Sequence, residues 1–278
     1  MGHFKTISRK RKKQRQFFKL LFIIIIIFFI IFFIKKVKID TKYLEYLTYN
    51  YLGTNLLNKE ETTLIDVPVF KEESVPIVYL YNTHQTEKYK YNKLTSYNID
   101  YSVMFASYIL QSYLDEYDIS SVVETNLVSK VLLDNNLKYK DSYQASRILL
   151  EQSIVKYPTL EYFIDLHRDS SIYEKTTCEI NGQNYAKILF VIGLEHENYA
   201  LNLAFAEKLN EKLKAVNPCL SRGILEKSGE GVDGKYNQDF HENTILLEIG
   251  GQYNEINEAN NTLKVLASIL YEYIMEDE

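Results

Sequence analysis

Leu246-Leu247-Glu248-Ile249-Gly250-Gly251 sets a carboxylic acid into an apolar run that closes on two glycines. Such a run predicts a buried strand, and a polar residue at its carboxyl end lies where open α/β sheets build their sites. Two upstream segments repeat the pattern, Tyr81-Asn82-Thr83-His84-Gln85-Thr86-Glu87 and Ile164-Asp165-Leu166-His167-Arg168-Asp169. Three strands would then deliver His84, His167 and Glu248 to one edge, as a metal-dependent hydrolase requires.

Strand and helix patterns alternate around these segments. Strands are predicted at Val75–Tyr81, Ser121–Glu124, Tyr162–Leu166 and Ile245–Ile249. Helical apolar spacing covers Ile99–Tyr117, Tyr143–Val155, Asn198–Lys214 and Ile256–Ile274. Thr176–Ile180 and Ala186–Gly193 flank Asn181-Gly182, the favoured two-residue hairpin turn, and are expected to pair. The alternation predicts an α/β fold, a mostly parallel sheet with flanking helices, over residues 75–278.

The first 38 residues have a different composition. They hold eleven Lys or Arg and no acid, around the unbroken apolar stretch Leu20–Ile34. Counted from Phe17 the stretch is about 18 residues, roughly 27 Å as a helix, close to a hydrocarbon core of ~30 Å. A cleaved signal peptide would have a shorter apolar region ending in small residues. Lys35, Lys36 and Lys38 stand there instead. The expected organisation is a basic tail at 1–16, a transmembrane helix at 17–34, a polar tether at 35–74 and the domain at 75–278. Eight basic residues precede Leu20 and three follow Ile34, which predicts a cytoplasmic amino terminus and a domain outside the cytoplasm. Beyond residue 38, 21 Lys or Arg face 37 Asp or Glu. A body this acidic argues against nucleic acid as a partner. Cys178 and Cys219 are compatible with an oxidising compartment, as a disulfide or as two free thiols.

Catalytic zinc sites use about three nitrogen or carboxylate ligands and keep a further position for water. His84 and Glu87 are three residues apart beyond a strand, where a turn aims both at one ion. Asp165 and His167 leave the same face of their strand, so Asp165 would orient the imidazole from behind. An acid at 248 would serve as proton shuttle. Each feature alone has a plainer explanation: a hydrogen-bonded structural histidine, a chance His-x-x-Glu, an acid capping the following helix. Arg168 reads as a substrate contact or as the partner of an acid, and His196 and His241 as loop residues. The glycine-rich stretch Ser228–Gly234 reads equally as a substrate loop or an ordinary surface excursion.

Taken in order, several motifs resemble the stage II sporulation protein P family of cell-wall hydrolases over about residues 75–275. They are Tyr-Asn-Thr-His-Gln-Thr-Glu (81–87), Asp-Leu-His-Arg-Asp (165–169), the run Asn181–Gly193, Leu-Ser-Arg-Gly-Ile (220–224), Tyr-Asn-Gln-Asp (236–239), Leu-Glu-Ile-Gly-Gly (247–251) and Glu258-Ala259-Asn260. The resemblance implies an amidase-like α/β fold preceded by one transmembrane helix, and a Zn2+-dependent N-acetylmuramoyl-L-alanine amidase with possible endopeptidase activity. It implies peptidoglycan as substrate, the sporulation D and M proteins as partners, and the sporulation septum as location. Carried over residue by residue, it makes His84, His167 and Glu87 the metal ligands, with Glu124 or Asp100 as alternatives to Glu87. Glu248 becomes the catalytic acid and base, and Arg168 a stabiliser of the oxyanion. The rival expectations are a wall-binding scaffold with a degenerate site and a zinc peptidase built on His84 and Glu87.

Overall fold

The computed structural model describes residues 75–90 and 101–277. The expected tail, anchor and tether lie outside the described residues, as does Asp100. Among the described residues, no helix is long and apolar enough to cross a membrane.

Eight strands form. They are β1 (Val78–Tyr81), β2 (Ser121–Val123), β3 (Tyr162–Asp169), β4 (Thr177–Ile180), β5 (Gln183–Ala186), β6 (Ile188–Gly193), β7 (Ser221–Lys227) and β8 (Thr244–Gly251). Six build one sheet in the order β2-β1-β3-β8-β6-β7. β2, β1, β3 and β8 run parallel, whereas β6 lies antiparallel to β8 and parallel to β7. The fold is therefore α/β with a mostly parallel sheet. The near-continuous apolar runs of β1, β3, β6 and β8 are buried, as expected of strands covered on both faces.

The longer helices are α1 (Val103–Glu116), α2 (Val128–Asp134), α3 (Ser142–Lys156), α5 (Tyr199–Val216) and α6 (Ile256–Asp277); α4 is the single turn Tyr173–Thr176. One face of the sheet carries the main core. Leu80, Ile164, Leu166, Phe190, Leu247 and Ile249 pack there against α1 (Val103, Ala106, Leu110, Leu114), α5 (Phe205, Leu209, Leu213) and α6 (Leu263, Leu266, Leu270). The spacing of three to four within each helix makes the apolar stripe, and each fully buried Leu contributes about 1.5–3 kcal/mol.

The opposite face is covered more thinly. Tyr79, Tyr81 and Phe163 meet Leu150 of α3, and Leu189, Val191 and Leu246 meet Tyr236 with Tyr143 beside it. This is the face that carries Asp165, His167 and Glu248, because side chains alternate along β3 and β8. The chain leaves β1 through α1 to β2 on one side, and returns through α3 to β3 on the other. The connections diverge between β1 and β3, which opens a crevice at their carboxyl ends where α/β sheets bind ligands.

Three expectations are corrected. The hairpin about Asn181-Gly182 joins β4 to β5, not to the apolar run that follows. Both turn residues have positive φ, 53° and 78°, as a primed turn requires. Ile188–Gly193 instead enters the main sheet beside β8, where both its faces are buried; a two-stranded ribbon could not cover it. β3 runs to Asp169 and β8 to Gly251, beyond the expected ends at Leu166 and Ile249, so His167 stands on its strand, as Glu248 was expected to. β7 and α2 were not predicted. The two cysteines form a disulfide, Cys178–Cys219, with Cα atoms 5.9 Å apart.

Candidate active site

His167 and Glu248 are register partners on neighbouring parallel strands. In the same register Asp165 stands beside Tyr81, the last residue of β1. The turn after β1 then folds back over the sheet edge. Asp165, fully buried, captures it: one carboxylate oxygen accepts from the Thr83 N–H at 2.9 Å and the other from the Thr83 hydroxyl at 2.7 Å. Asn82 adds a donor to Leu166 O at 2.7 Å. His84 follows at once, and its ring centre lies 5.4 Å from that of His167 at an interplanar angle of 84°. Tyr139 stacks on His84 at 5.3 Å and Tyr143 meets it edge-on at 5.6 Å.

Glu87 completes the group. Its Oε2 accepts from the Arg168 backbone N–H at 3.0 Å and lies 3.6 Å from His167 Nδ1. Behind the ring, His167 Nε2 is 2.9 Å from Asp165 Oδ1, a charge contact without hydrogen-bond alignment. His167 is thus flanked by a carboxylate on each side. Burial favours its neutral form, but Asp165 and Glu87 outweigh burial and raise its proton affinity well above the ordinary value. Glu87 shows the converse. Burial pushes its carboxyl up, and His167 with the Arg168 N–H more than reverses that, leaving it lowered. His84 is lowered by burial and then by His167.

Glu248 is partly covered as a residue, yet its Oε2 is enclosed and has no hydrogen-bond partner. Burial first, with Glu87 and Asp169 adding to it, pushes its carboxyl up to about 7, against His167 and Arg222. A carboxyl poised near neutrality beside the His167 imidazole can accept a proton and return it.

Among the described residues, no three His, Cys, Asp or Glu side chains stand close enough together, as placed, to hold a metal ion. The donors nevertheless fit one by two observations. His84 Nδ1 is buried without a partner, and His167 occupies a pocket for positive charge between two carboxylates. Imidazoles bound at about 2.0–2.1 Å in a tetrahedral site have ring centres roughly 5 Å apart, matching the 5.4 Å found.

The other sequence candidates lie elsewhere or are engaged. Glu124 accepts from the Tyr79 hydroxyl and from Asn126 N–H at 2.5 Å. Arg168 contributes its backbone N–H to Glu87, while its guanidinium Nε donates to Lys88 O at 3.0 Å, away from Glu248. His241 uses Nδ1 to accept from Asn243 N–H at 3.2 Å.

Two motifs quoted from the sequence had no role assigned to them. Tyr-Asn-Gln-Asp (236–239) works as a clamp. Asn237 donates to Tyr143 O and Ser146 Oγ of α3, Gln238 bridges Val191 O and Gly193 N of β6, and Asp239 pairs with Arg147 at 2.9 Å. Ser146 in turn bonds Thr83 Oγ1 at 2.8 Å, so one buried polar chain runs from the clamp to His167. Arg222 belongs to the other. It pairs with Asp169 at 2.5 Å, a contact that its motif, Leu-Ser-Arg-Gly-Ile (220–224), does not disclose.

Among solved structures, the chain is similar to the N-acetylmuramoyl-L-alanine amidase AmiC2 of Nostoc punctiforme (TM-score 0.41, 10% identity, covering 72% of this chain and 97% of that one). It is similar also to an N-acetylmuramoyl-L-alanine amidase from Clostridium difficile 630 (0.40, 14%, 73% and 97%) and to a metallo-carboxypeptidase from Burkholderia cenocepacia (0.42, 10%, 72% and 58%). It is 29% identical over 208 residues to stage II sporulation protein P of Bacillus subtilis (strain 168), covering 73% of this chain and 52% of the relative. The chain thus spans about half the length of that curated relative. The family model for stage II sporulation protein P matches residues 40–271, and the chain belongs to that family.

Proposed function

We propose that this protein is a membrane-anchored peptidoglycan hydrolase that cleaves the amide between the lactyl group of MurNAc and L-Ala during septal wall degradation in sporulation. The observation that carries the reading is the convergence of His84, Glu87, His167 and Glu248 on one crevice, with Asp165 fixing two of the segments. Membership of the stage II sporulation protein P family supports the substrate and the setting. The apolar stretch Leu20–Ile34 supports an anchor, and the disulfide suits a domain outside the cytoplasm. The sporulation D and M proteins are the proposed partners.

His84, His167 and Glu87 would hold a zinc ion, which supplies Lewis acidity and lowers the pKa of a bound water to about 7. Asp165 orients the His167 ring and keeps Nδ1 turned toward Glu87. The Arg168 N–H steers the Glu87 carboxylate. Glu248 takes a proton from the water that attacks the carbonyl carbon. As the C–N bond breaks it returns that proton to the departing nitrogen, leaving a lactyl carboxylic acid and a free peptide amine.

The test is mass analysis of fragments released from purified sacculi by the full chain. The reading expects muramic acid with an unsubstituted lactyl carboxylate, together with peptides beginning at L-Ala. Wall binding without release would favour the scaffold, and shortened peptides still attached to sugar would favour a peptidase.

A further inference from the structure

β6 and β7 run against the parallel strands, so their amino-terminal ends reach the edge at which β1, β3 and β8 end. Ile188 pairs with Ile249 on one side and with Ser221 on the other. Ser221-Arg222-Gly223 therefore flanks the crevice from the side opposite His84. The pairing of β6 with β7 is irregular at this point: Ile188 pairs with Ser221 and Phe190 with Ile224, so β7 carries one extra residue. Gly223 takes φ +85° there. Bulges of this kind re-aim a side chain and are common beside active sites.

The bulge is firmly held. Ser221 Oγ accepts from Gly223 N–H at 2.9 Å and donates to Asn210 of α5 at 2.5 Å. Cys219, three residues before Arg222, is tied to β4 by the disulfide. Arg222 reaches past the glycines at the end of β8 to Asp169 of β3, where its Nη1 meets Oδ2 at 2.5 Å. Arg222 is mostly covered, with 16% of its side chain exposed. Among the described residues, its other N–H donors are unengaged. Its charge is felt by Glu248, on which it acts to favour ionisation. A mostly covered, pre-aimed guanidinium with spare donors is suited to a carboxylate.

We infer that Arg222 anchors a free carboxylate of the substrate peptide, within about three residues of the scissile amide. The reach follows from the sheet: the guanidinium meets Asp169, two residues beyond His167 on β3, roughly 7 Å along the strand, and an extended peptide advances ~3.3–3.6 Å per residue. The inference deepens the proposed hydrolase reading and rests on it for the substrate. The guanidinium selects an acidic stem peptide over one whose carboxylates are amidated.

The test separates binding from turnover. Equilibrium binding of a muramoyl peptide with free carboxylates, and of its fully amidated form, is measured on full-length Glu248→Gln, Glu248→Gln/Arg222→Gln and Glu248→Gln/Arg222→Lys. Glu248→Gln should prefer the acid by about 10- to 100-fold, the range of one charge-assisted pair. Arg222→Gln should reduce the preference to near unity, and Arg222→Lys should restore part of it. An unchanged preference in Arg222→Gln, or equal weakening toward both ligands, overturns the assignment. If Arg222→Gln does not fold, Arg222→Lys decides: a preference reduced several-fold supports the anchor and an unaltered one overturns it. Turnover by the wild type is scored separately, so a wild type that binds the acid through Arg222 without hydrolysing it fails the hydrolase reading alone.

Discussion

His167 and Glu248 face each other as in-register neighbours of β3 and β8, on the thinly covered surface of the sheet. Adjacent strands are about 4.8 Å apart, so the carboxyl cannot escape the imidazole, and its enclosed Oε2 has no other partner. Burial raises the Glu248 carboxyl from 4.5 to about 7, against the opposing pull of His167.

This elevation has a sign that stability can read. The folded chain holds the Glu248 proton more tightly than the unfolded chain does. The native state is therefore least burdened below pH 4.5, loses stability as pH rises to about 7, and stays lower above that by about 3 kcal/mol. Glu248→Gln removes the buried charge. With chelator present, the variant should exceed wild type by about 3 kcal/mol at pH 8 and match it near pH 4.5, measured by urea denaturation. Equal stabilities at pH 8 would reject the raised value. Hydrolysis by the same variant should fall at least ~10²-fold.

Asp165 orients His167 and receives both Thr83 donors. Replacing it with Asn should weaken zinc binding about 10- to 100-fold, followed by competition with a chromophoric chelator. Unchanged affinity would show that His167 needs no such support.

Tyr236 and Asn237 both adopt left-handed backbone, with φ of 54° and 57°. Asn tolerates this better than Ala. Asn237→Ala should lose about 2–4 kcal/mol, by combining strain with the loss of donors to Tyr143 O and Ser146 Oγ. Asn237→Gly should recover about 1 kcal/mol of that. Thermal denaturation of the pair separates the two contributions; identical losses would leave the strain without effect.

The Cys178–Cys219 bridge closes a sequence separation of 41 residues. Cross-linking a loop of that size stabilises by about 4 kcal/mol through the unfolded chain. A double Ser variant should lose 2–5 kcal/mol or so, and reductant should lower the melting temperature of the wild type alone. A variant as stable as wild type would count against the bridge.

Most of the fold visible in sequence is buried on both faces, with the short strands β2 and β4 as exceptions. β1, β3 and β8 show as apolar runs, and α1, α5 and α6 as stripes at helical spacing. β7 stayed hidden because Ser221-Arg222-Gly223-Ile224-Leu225-Glu226-Lys227 is an edge strand with a bulge and little periodicity. Gln183–Ala186 stayed hidden because it is mostly exposed, and the apolar run beside it drew the assignment. In the site, His84, Glu87, His167 and Glu248 were legible because each closes or follows an apolar run. Arg222 and Asn237 were not. Their positions come from strand order and from left-handed backbone, which local pattern does not carry. Arg168, expected to stabilise the oxyanion, has its guanidinium Nε on Lys88 O.

Metal stoichiometry on the full-length protein, after exhaustive dialysis against zinc-free buffer, tests the central claim most directly. One zinc per chain is expected in wild type and in Glu248→Gln, with loss in His84→Ala and in His167→Ala. Full retention of zinc in both histidine variants would contradict the assignment of His84 and His167 as ligands.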